Sequence, residues 1–146
     1  MIHTLLMYLI DTNVISEIRK GNNANAGVRQ FFATVITQNT QVYLSAITVG
    51  ELRRGVDLMF YRGDGFQGKI LENWLITTLQ QYQSNILGID IEIALLWGKL
   101  RVPEAQHPLD KLIAATALIY DLTVVTRNVK DFELTGVRLL NPFTGP

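Results

Sequence analysis

The chain has 146 residues, of which 48% are hydrophobic and 18% are charged, and this composition is typical of one globular domain with a substantial core. Thirteen basic and thirteen acidic residues cancel, so any binding to nucleic acid must use a local basic patch rather than a broad positive charge. The chain has no cysteine, which excludes disulfides and thiolate zinc sites.

The first ten residues are apolar, but they are too few to cross a bilayer and they lack the basic start of a signal peptide. We therefore expect no membrane segment and no membrane partner. The cytoplasm is the expected location of the protein.

The first predicted strand, residues 5–10, is a continuous apolar run, as expected for a strand that is buried on both faces. Residues 11–13 follow as turn and N-cap residues, and residues 14–20 are predicted to form a helix that ends at Gly21. Asp11 is therefore expected at the carboxyl edge of a sheet, where ligand sites form. The alternative is that Asp11 only shapes the turn.

The rest of the chain alternates between strand and helix patterns, which predicts a parallel sheet with helices on both faces. The glycine-rich stretch 62–68 is predicted to be a flexible link between two helices. No linker divides the chain, so residues 1–146 are predicted to form a single domain. The predicted strands are 41–45, 85–89, 123–126 and 137–140, and the predicted helices are 28–38, 48–60, 67–83, 91–101 and 109–121, with one helical turn at 129–133.

Four acidic residues that are far apart in sequence are predicted to meet at one edge of this sheet. Asp11 ends the first strand, and Asp131 lies in the loop after the fourth strand. Glu51 and Asp110 each lie in the first turn of a helix, and such helices begin at the edge where parallel strands end. Clustered carboxylates repel one another, and a hard divalent cation such as Mg²⁺ or Mn²⁺ offsets that repulsion. Such a metal also supports the hydrolysis of phosphodiester bonds.

Each acid also has a purely structural explanation. Thr48 and Glu51 have the spacing of a capping box, in which Glu51 would only bind a backbone N–H. Asp110 would be favoured in a first helical turn by the helix dipole, and Asp131 could be a turn residue. Asp90 could join the edge or cap the next helix, and the cap is favoured.

Other kinds of site have less support. Neither His3 nor His107 has a serine, cysteine or carboxylate partner at a telling spacing, so the sequence supports neither a catalytic triad nor a histidine metal site. A non-catalytic, receiver-like interaction module is the alternative function, with Asp90 as its phosphoacceptor. A receiver would need an acidic pair after its first strand, where this chain has Asp11 followed by threonine and asparagine.

Four segments, in the right order, resemble the motifs of the PIN-domain family, and VapC-type and FitB-type toxins are the most similar members. The segments are residues 9–17 (LIDTNVISE), 44–52 (LSAITVGEL), 110–117 (DKLIAATA) and 123–132 (TVVTRNVKDF). The resemblance implies a three-layer α/β/α fold around a five-stranded parallel sheet in the order 3-2-1-4-5. It also implies a Mg²⁺- or Mn²⁺-dependent endoribonuclease, a homodimer, and a cognate antitoxin that neutralises this toxin component of a type II toxin–antitoxin system.

On this resemblance Asp11 and Asp110 are the expected metal ligands, and Glu51 and Asp131 complete the acidic site. Some relatives carry an acid where this chain has Asn128, which leaves open which residue supplies the fourth position. Residues 1–6 precede the usual start of the family and are expected to be either an N-terminal extension or the result of a misassigned start, with Met7 as the true one. The residues expected to support the site or contact RNA are Thr12, Asn13, Thr126, Arg127 and Asn128.

Overall fold

A five-stranded parallel sheet forms the centre of the computed structural model, which describes residues 6–145. The strands lie in the order β3-β2-β1-β4-β5, which confirms the predicted order 3-2-1-4-5. The first strand is therefore central and lies between β2 and β4. The bounds are β1 Tyr8–Ile10, β2 Val42–Ser45, β3 Ile86–Leu87, β4 Thr123–Val125 and β5 Leu139–Leu140.

Helices cover both faces of the sheet. Alternate residues of the strands belong to different hydrophobic clusters, and each of these clusters includes different helices. Ile10 and Val125 pack in one cluster with α1 to α4, whereas Leu9 and Val124 pack in another with α6 and α7. Of the helices described, none has both the length and the hydrophobicity that crossing a membrane requires. The helices are α1 Thr12–Ile18, α2 Ala26–Thr37, α3 Ala46–Tyr61, α4 Gly65–Gln81, α5 Ile91–Leu100, α6 Pro108–Tyr120 and α7 Val129–Phe132.

Several helix starts differ from the prediction, those of α1 and α4 among them. The first helix begins at Thr12 rather than at residue 14, because Asp11 itself accepts the capping hydrogen bond from the Thr12 N–H at 2.8 Å. This helix also ends earlier than predicted, at Ile18. The predicted flexible link 62–68 is wrong in extent, because Asp64 caps α4 and leaves only residues 62–64 between α3 and α4.

The two edge strands are shorter than predicted. β3 pairs with β2 only through Ile86 and Leu87, and the chain then leaves the sheet towards α5. Asp90 accepts a hydrogen bond from the Ile93 N–H at 2.9 Å, which confirms its favoured role as the cap of α5. This cap uses the carboxylate that a receiver-like module would need as its phosphoacceptor.

Deletion of residues 1–6 is expected to leave the folded domain almost unchanged. The observed β1 begins only at Tyr8, and Leu6 is 49% exposed. Residues 1–5, which include His3 and the first residue of the predicted strand, lie outside the described residues. We expect the thermal midpoint of the shortened protein to stay within about 2 °C of the parent. Loss of soluble protein would instead show that the deleted leucines belong to the core.

Candidate active site

Asp11 directly follows β1 and is almost completely buried, with 3% of its surface exposed. Its N–H donates to the Val125 carbonyl at 2.9 Å, which fixes Asp11 against the end of β4. One carboxylate oxygen accepts from the Thr12 N–H, and the other accepts from the Thr126 hydroxyl at 2.8 Å and the Asn13 amide at 3.1 Å. Burial raises the pKa of Asp11, and these three hydrogen bonds oppose that rise. The carboxylate is thus held in one orientation.

Thr126 joins the loop after β4 to the start of α1. Its fully buried hydroxyl donates to Asp11 and accepts hydrogen bonds from the Asn128 N–H at 3.0 Å and the Asn13 amide at 3.3 Å. The side-chain carbonyl of Asn13 accepts in turn from the Arg127 N–H at 3.0 Å. Thr126 and Asn13, which the sequence placed among possible RNA contacts, therefore hold Asp11 and this loop in position.

Glu51 reaches the same edge from the second turn of α3, not from the first. The predicted capping box is wrong, because α3 begins at Ala46 and Ser45 accepts the capping hydrogen bond from a first-turn N–H at 3.1 Å. Thr48 is then a buried residue within the helix. Glu51 instead accepts a hydrogen bond from the Thr12 hydroxyl at 2.7 Å, which ties it to the first turn of α1.

Asp110 lies in the first turn of α6, as predicted, and is half-buried. Its pKa is raised to about 6, mainly by burial, and then by repulsion from the charges of Asp11, Asp131 and Glu51. His107 acts in the opposite direction and lowers this pKa. Asp110 thus lies close enough to Asp11, Asp131 and Glu51 for their charges to act on its carboxyl.

The donor set at this edge consists of carboxylate oxygens from four separate segments of the chain. Burial, and then the charges of the other three acids, raise the pKa of Asp110, and a bound divalent cation would offset both effects. Hard cations such as Mg²⁺ and Mn²⁺ take oxygen ligands of this kind. The residues present therefore fit such an ion: Asp11 is almost completely buried at this edge, and Asp110 is half-buried.

His107 is the neighbour of this cluster that the sequence reasoning missed. Its Nε2 lies 3.7 Å from Asp131 Oδ1, a carboxylate neighbour that the spacing along the sequence did not indicate. The partner comes from α7, the short helix that follows β4, and no local spacing reveals this contact. A signal was nevertheless present, because a residue that directly precedes the first-turn proline of α6 must lie at the same edge as Asp110.

Arg127 and Asn128 are exposed on the loop after β4. The Arg127 guanidinium lies over the Phe143 ring, 4.7 Å from its centroid, in a cation–π contact. Asn128 precedes α7, but its side chain makes no capping hydrogen bond. Its amide is therefore not required by the short helix that carries Asp131.

Comparisons with known proteins agree with this fold. The PIN domain family matches residues 8–136. Toxin FitB from Neisseria gonorrhoeae is 36% identical over 143 residues, which cover 94% of this chain and 99% of FitB. VapC ribonuclease Y4jK from Sinorhizobium fredii is 32% identical over 143 residues, which cover 94% of this chain and 98% of that protein. The crystal structure of FitAcB from N. gonorrhoeae has a TM-score of 0.80 at 36% identity and covers 93% of this chain and 98% of its own. This chain belongs to the PIN-domain family.

Proposed function

We propose that this protein is a metal-dependent endoribonuclease and the toxin component of a type II toxin–antitoxin pair, acting on RNA in the cytoplasm. The observation that carries the proposal is the convergence of Asp11, Glu51, Asp110 and Asp131 at one edge of the sheet. The names of the two curated relatives, a toxin and a ribonuclease, support the same conclusion. The catalytic domain is proposed to span residues 1–146, with residues 1–6 as an N-terminal extension.

The metal is proposed to be Mg²⁺ or Mn²⁺, bound directly by Asp11 and Asp110. Glu51 and Asp131 complete the site, either directly or through water. When bound, such an ion supplies an activated water and stabilises the charge that develops on the phosphoryl group. The preference for a hard cation rests on the oxygen-only set of these four side chains.

The remaining side chains of the site are proposed to position the acids and the RNA. Thr126 and Asn13 hold Asp11, and Thr12 holds Glu51, through the hydrogen bonds described above. Arg127 and Asn128 are exposed beside the acids and are proposed to contact RNA, Arg127 through a phosphate.

A cognate antitoxin and a second copy of the chain are the proposed protein partners. An apolar groove between α1, α3 and α4 opens beside Thr12 and Glu51, and it fits an apolar segment of an antitoxin that would cover the acids. The homodimer is supported by Ile91 and Leu95, which lie one turn apart on α5 and are 79% and 71% exposed. A second copy of α5 would cover them. The apolar lining of the groove includes Leu52, Val56, Met59, Leu71 and Trp74.

Cleavage of structured RNA with and without Mg²⁺ tests the proposed function. We expect cleavage with Mg²⁺ or Mn²⁺ and none in excess EDTA. An Asp11→Asn variant purified in parallel serves as the control for contaminating ribonucleases. The two preparations should carry the same contaminants, but the variant lacks one of the proposed metal ligands. Cleavage that persists undiminished in excess EDTA would sink the metal-dependent mechanism.

The fourth position of the site can be assigned with two alanine variants. Asp131 faces Asp110, whereas the exposed Asn128 contributes its backbone N–H to Thr126. We therefore expect Asp131→Ala to reduce cleavage by about tenfold or more, and Asn128→Ala to reduce it by less than about threefold. The reverse ranking would assign the position to Asn128. Near-normal cleavage by both variants would remove the loop from the mechanism.

The affinity for Mg²⁺ is expected to rise with pH up to about 6 and then to level off. Asp110 must lose its proton to bind a cation, and its pKa in the metal-free protein is raised to about 6. Below that pH, each further decrease of one pH unit should weaken Mg²⁺ binding by about tenfold, because one proton competes with the cation for Asp110. Thermal melts with a series of Mg²⁺ concentrations measure this. An affinity that stays constant from about pH 5 to about pH 8 contradicts the assignment of Asp110 as a ligand.

A further inference from the structure

His107, Asp110 and Asp131 bring three metal-ligating groups together on one side of the carboxylate cluster. One ligand atom from each residue lies within 4.8 Å of the other two. The His107 Nε2 and the Asp131 Oδ1 are 3.7 Å apart. Two ligands on a tetrahedral Zn²⁺ lie about 3.3 Å apart, so small side-chain rotations are enough to bring all three onto one ion.

The nitrogen ligand distinguishes this group from the neighbouring acids. Imidazole is a good ligand for first-row transition ions such as Zn²⁺, whereas Mg²⁺ prefers oxygen and usually keeps its waters. The His107 ring makes no capping hydrogen bond to α6, so its nitrogens are not used by the helix that it precedes. The half-buried Asp110 and the Asp131 carboxylate supply the negative charge that a divalent ion needs.

The loop that carries His107 is held in place by a buried lysine. Lys111 is only 6% exposed, and its ammonium donates to the Glu104 carbonyl and lies 2.9 Å from the Glu104 carboxylate. The His107 carbonyl accepts the Lys111 N–H at 3.0 Å. These contacts fix both ends of the segment 104–107, so the backbone of His107 is positioned before any ion arrives.

We propose that His107, Asp110 and Asp131 form a mixed nitrogen–oxygen site for a transition-metal ion of the Zn²⁺ class. The site shares Asp110 and Asp131 with the acidic cluster but does not include Asp11. Zn²⁺ bound there withdraws two carboxylates from the Mg²⁺ site and inhibits cleavage, a consequence that rests on the proposed nuclease function. Binding of Zn²⁺ itself does not depend on that function.

Competition of the chelator-stripped full chain with a chromophoric zinc chelator measures the affinity for Zn²⁺ alone. We expect His107→Asn and Asp131→Asn each to weaken Zn²⁺ binding by about tenfold or more. Asparagine is chosen at position 107 because the backbone there is left-handed, with φ 55°, and asparagine tolerates this conformation. The affinity of His107→Asn for Mg²⁺ should change by less than about twofold, because Mg²⁺ does not select imidazole.

Three matched variants serve as controls for this measurement. Gln106→Ala alters the same loop, His3→Ala removes the only other histidine of the chain, and both should keep the parent affinity for Zn²⁺. Asp11→Asn should keep Zn²⁺ binding within about threefold while losing RNA cleavage, since it lies outside the three-residue group. Cleavage by Asp11→Asn would overturn the proposed function and leave the zinc result standing. The zinc site would be overturned if His107→Asn bound Zn²⁺ as tightly as the parent. It would also be overturned if His107→Asn and Asp11→Asn weakened Zn²⁺ binding equally.

Discussion

Replacement of Asp110 by Asn should abolish RNA cleavage and at the same time raise the melting temperature of the metal-free protein by a few degrees. The folded protein holds this carboxyl with a pKa of about 6, against an ordinary value of 3.8, so ionisation of Asp110 opposes folding. Asparagine keeps the shape and removes the charge. Cleavage should fall on the order of 100-fold or more, because the proposed function makes Asp110 a direct metal ligand.

The sign of this stability effect depends on pH. The stability that the protonated Asp110 allows is fully present below about pH 4, and it is lost as the pH rises towards 6, where the folded protein finally ionises. The advantage of Asp110→Asn should therefore be largest above pH 6 and absent below about pH 4. The control is Glu92→Gln, which removes an exposed acid from α5. This variant should not raise the melting temperature, and it should leave the cleavage rate unchanged. A metal-free variant that melts lower than the parent yet still cleaves RNA would show that Asp110 is only structural.

Thr126→Val is expected to destabilise the protein by about 1–3 kcal/mol, although valine and threonine have nearly the same shape. The buried Thr126 hydroxyl donates to Asp11 and accepts from the Asn128 N–H, and valine leaves both groups without that partner. Loss of the hydrogen bond also raises the pKa of Asp11 further, because burial then acts with less opposition. Urea unfolding at neutral pH and cleavage with Mg²⁺ both measure the effect.

A matched control for this change is Thr37→Val, which makes the same substitution at an exposed position of α2. It should unfold like the parent, within about 0.5 kcal/mol. If Thr126→Val also unfolds like the parent and cleaves RNA normally, then the hydroxyl is not needed to hold Asp11.

The strand order was predicted from the resemblance to the PIN-domain family, whereas the placement of the four acids at one edge was predicted from the alternation of strands and helices. Helices that return between parallel strands start where the strands end, whatever the local details. The caps were harder to predict, since Asp11 competes with Thr12 and Asn13, and Ser45 competes with Thr48. Tertiary contacts decide these competitions. The Thr12 hydroxyl, for example, is used by Glu51.

Other features depended on partners that the local sequence does not show. The two-residue length of β3 is set by its pairing with Leu44 and Ser45 on β2, not by the apolar run around it. The contact between His107 and Asp131 joins the loop before α6 to the short helix α7, which follows β4. Spacing along the chain carries no record of such contacts, so the sequence alone made His107 look isolated.

The pairing of the first strand with the fourth strand also bears on the order of events during synthesis. The hydrogen bond between Asp11 and Thr126 joins residues 115 positions apart, and β1 lies between β2 and β4. A nascent chain therefore cannot form the acidic cluster until its last third has left the ribosome. Contacts between such distant residues also close slowly. On the proposed function, the protein is inactive as a nuclease for most of its own translation, which leaves time for a partner to bind it.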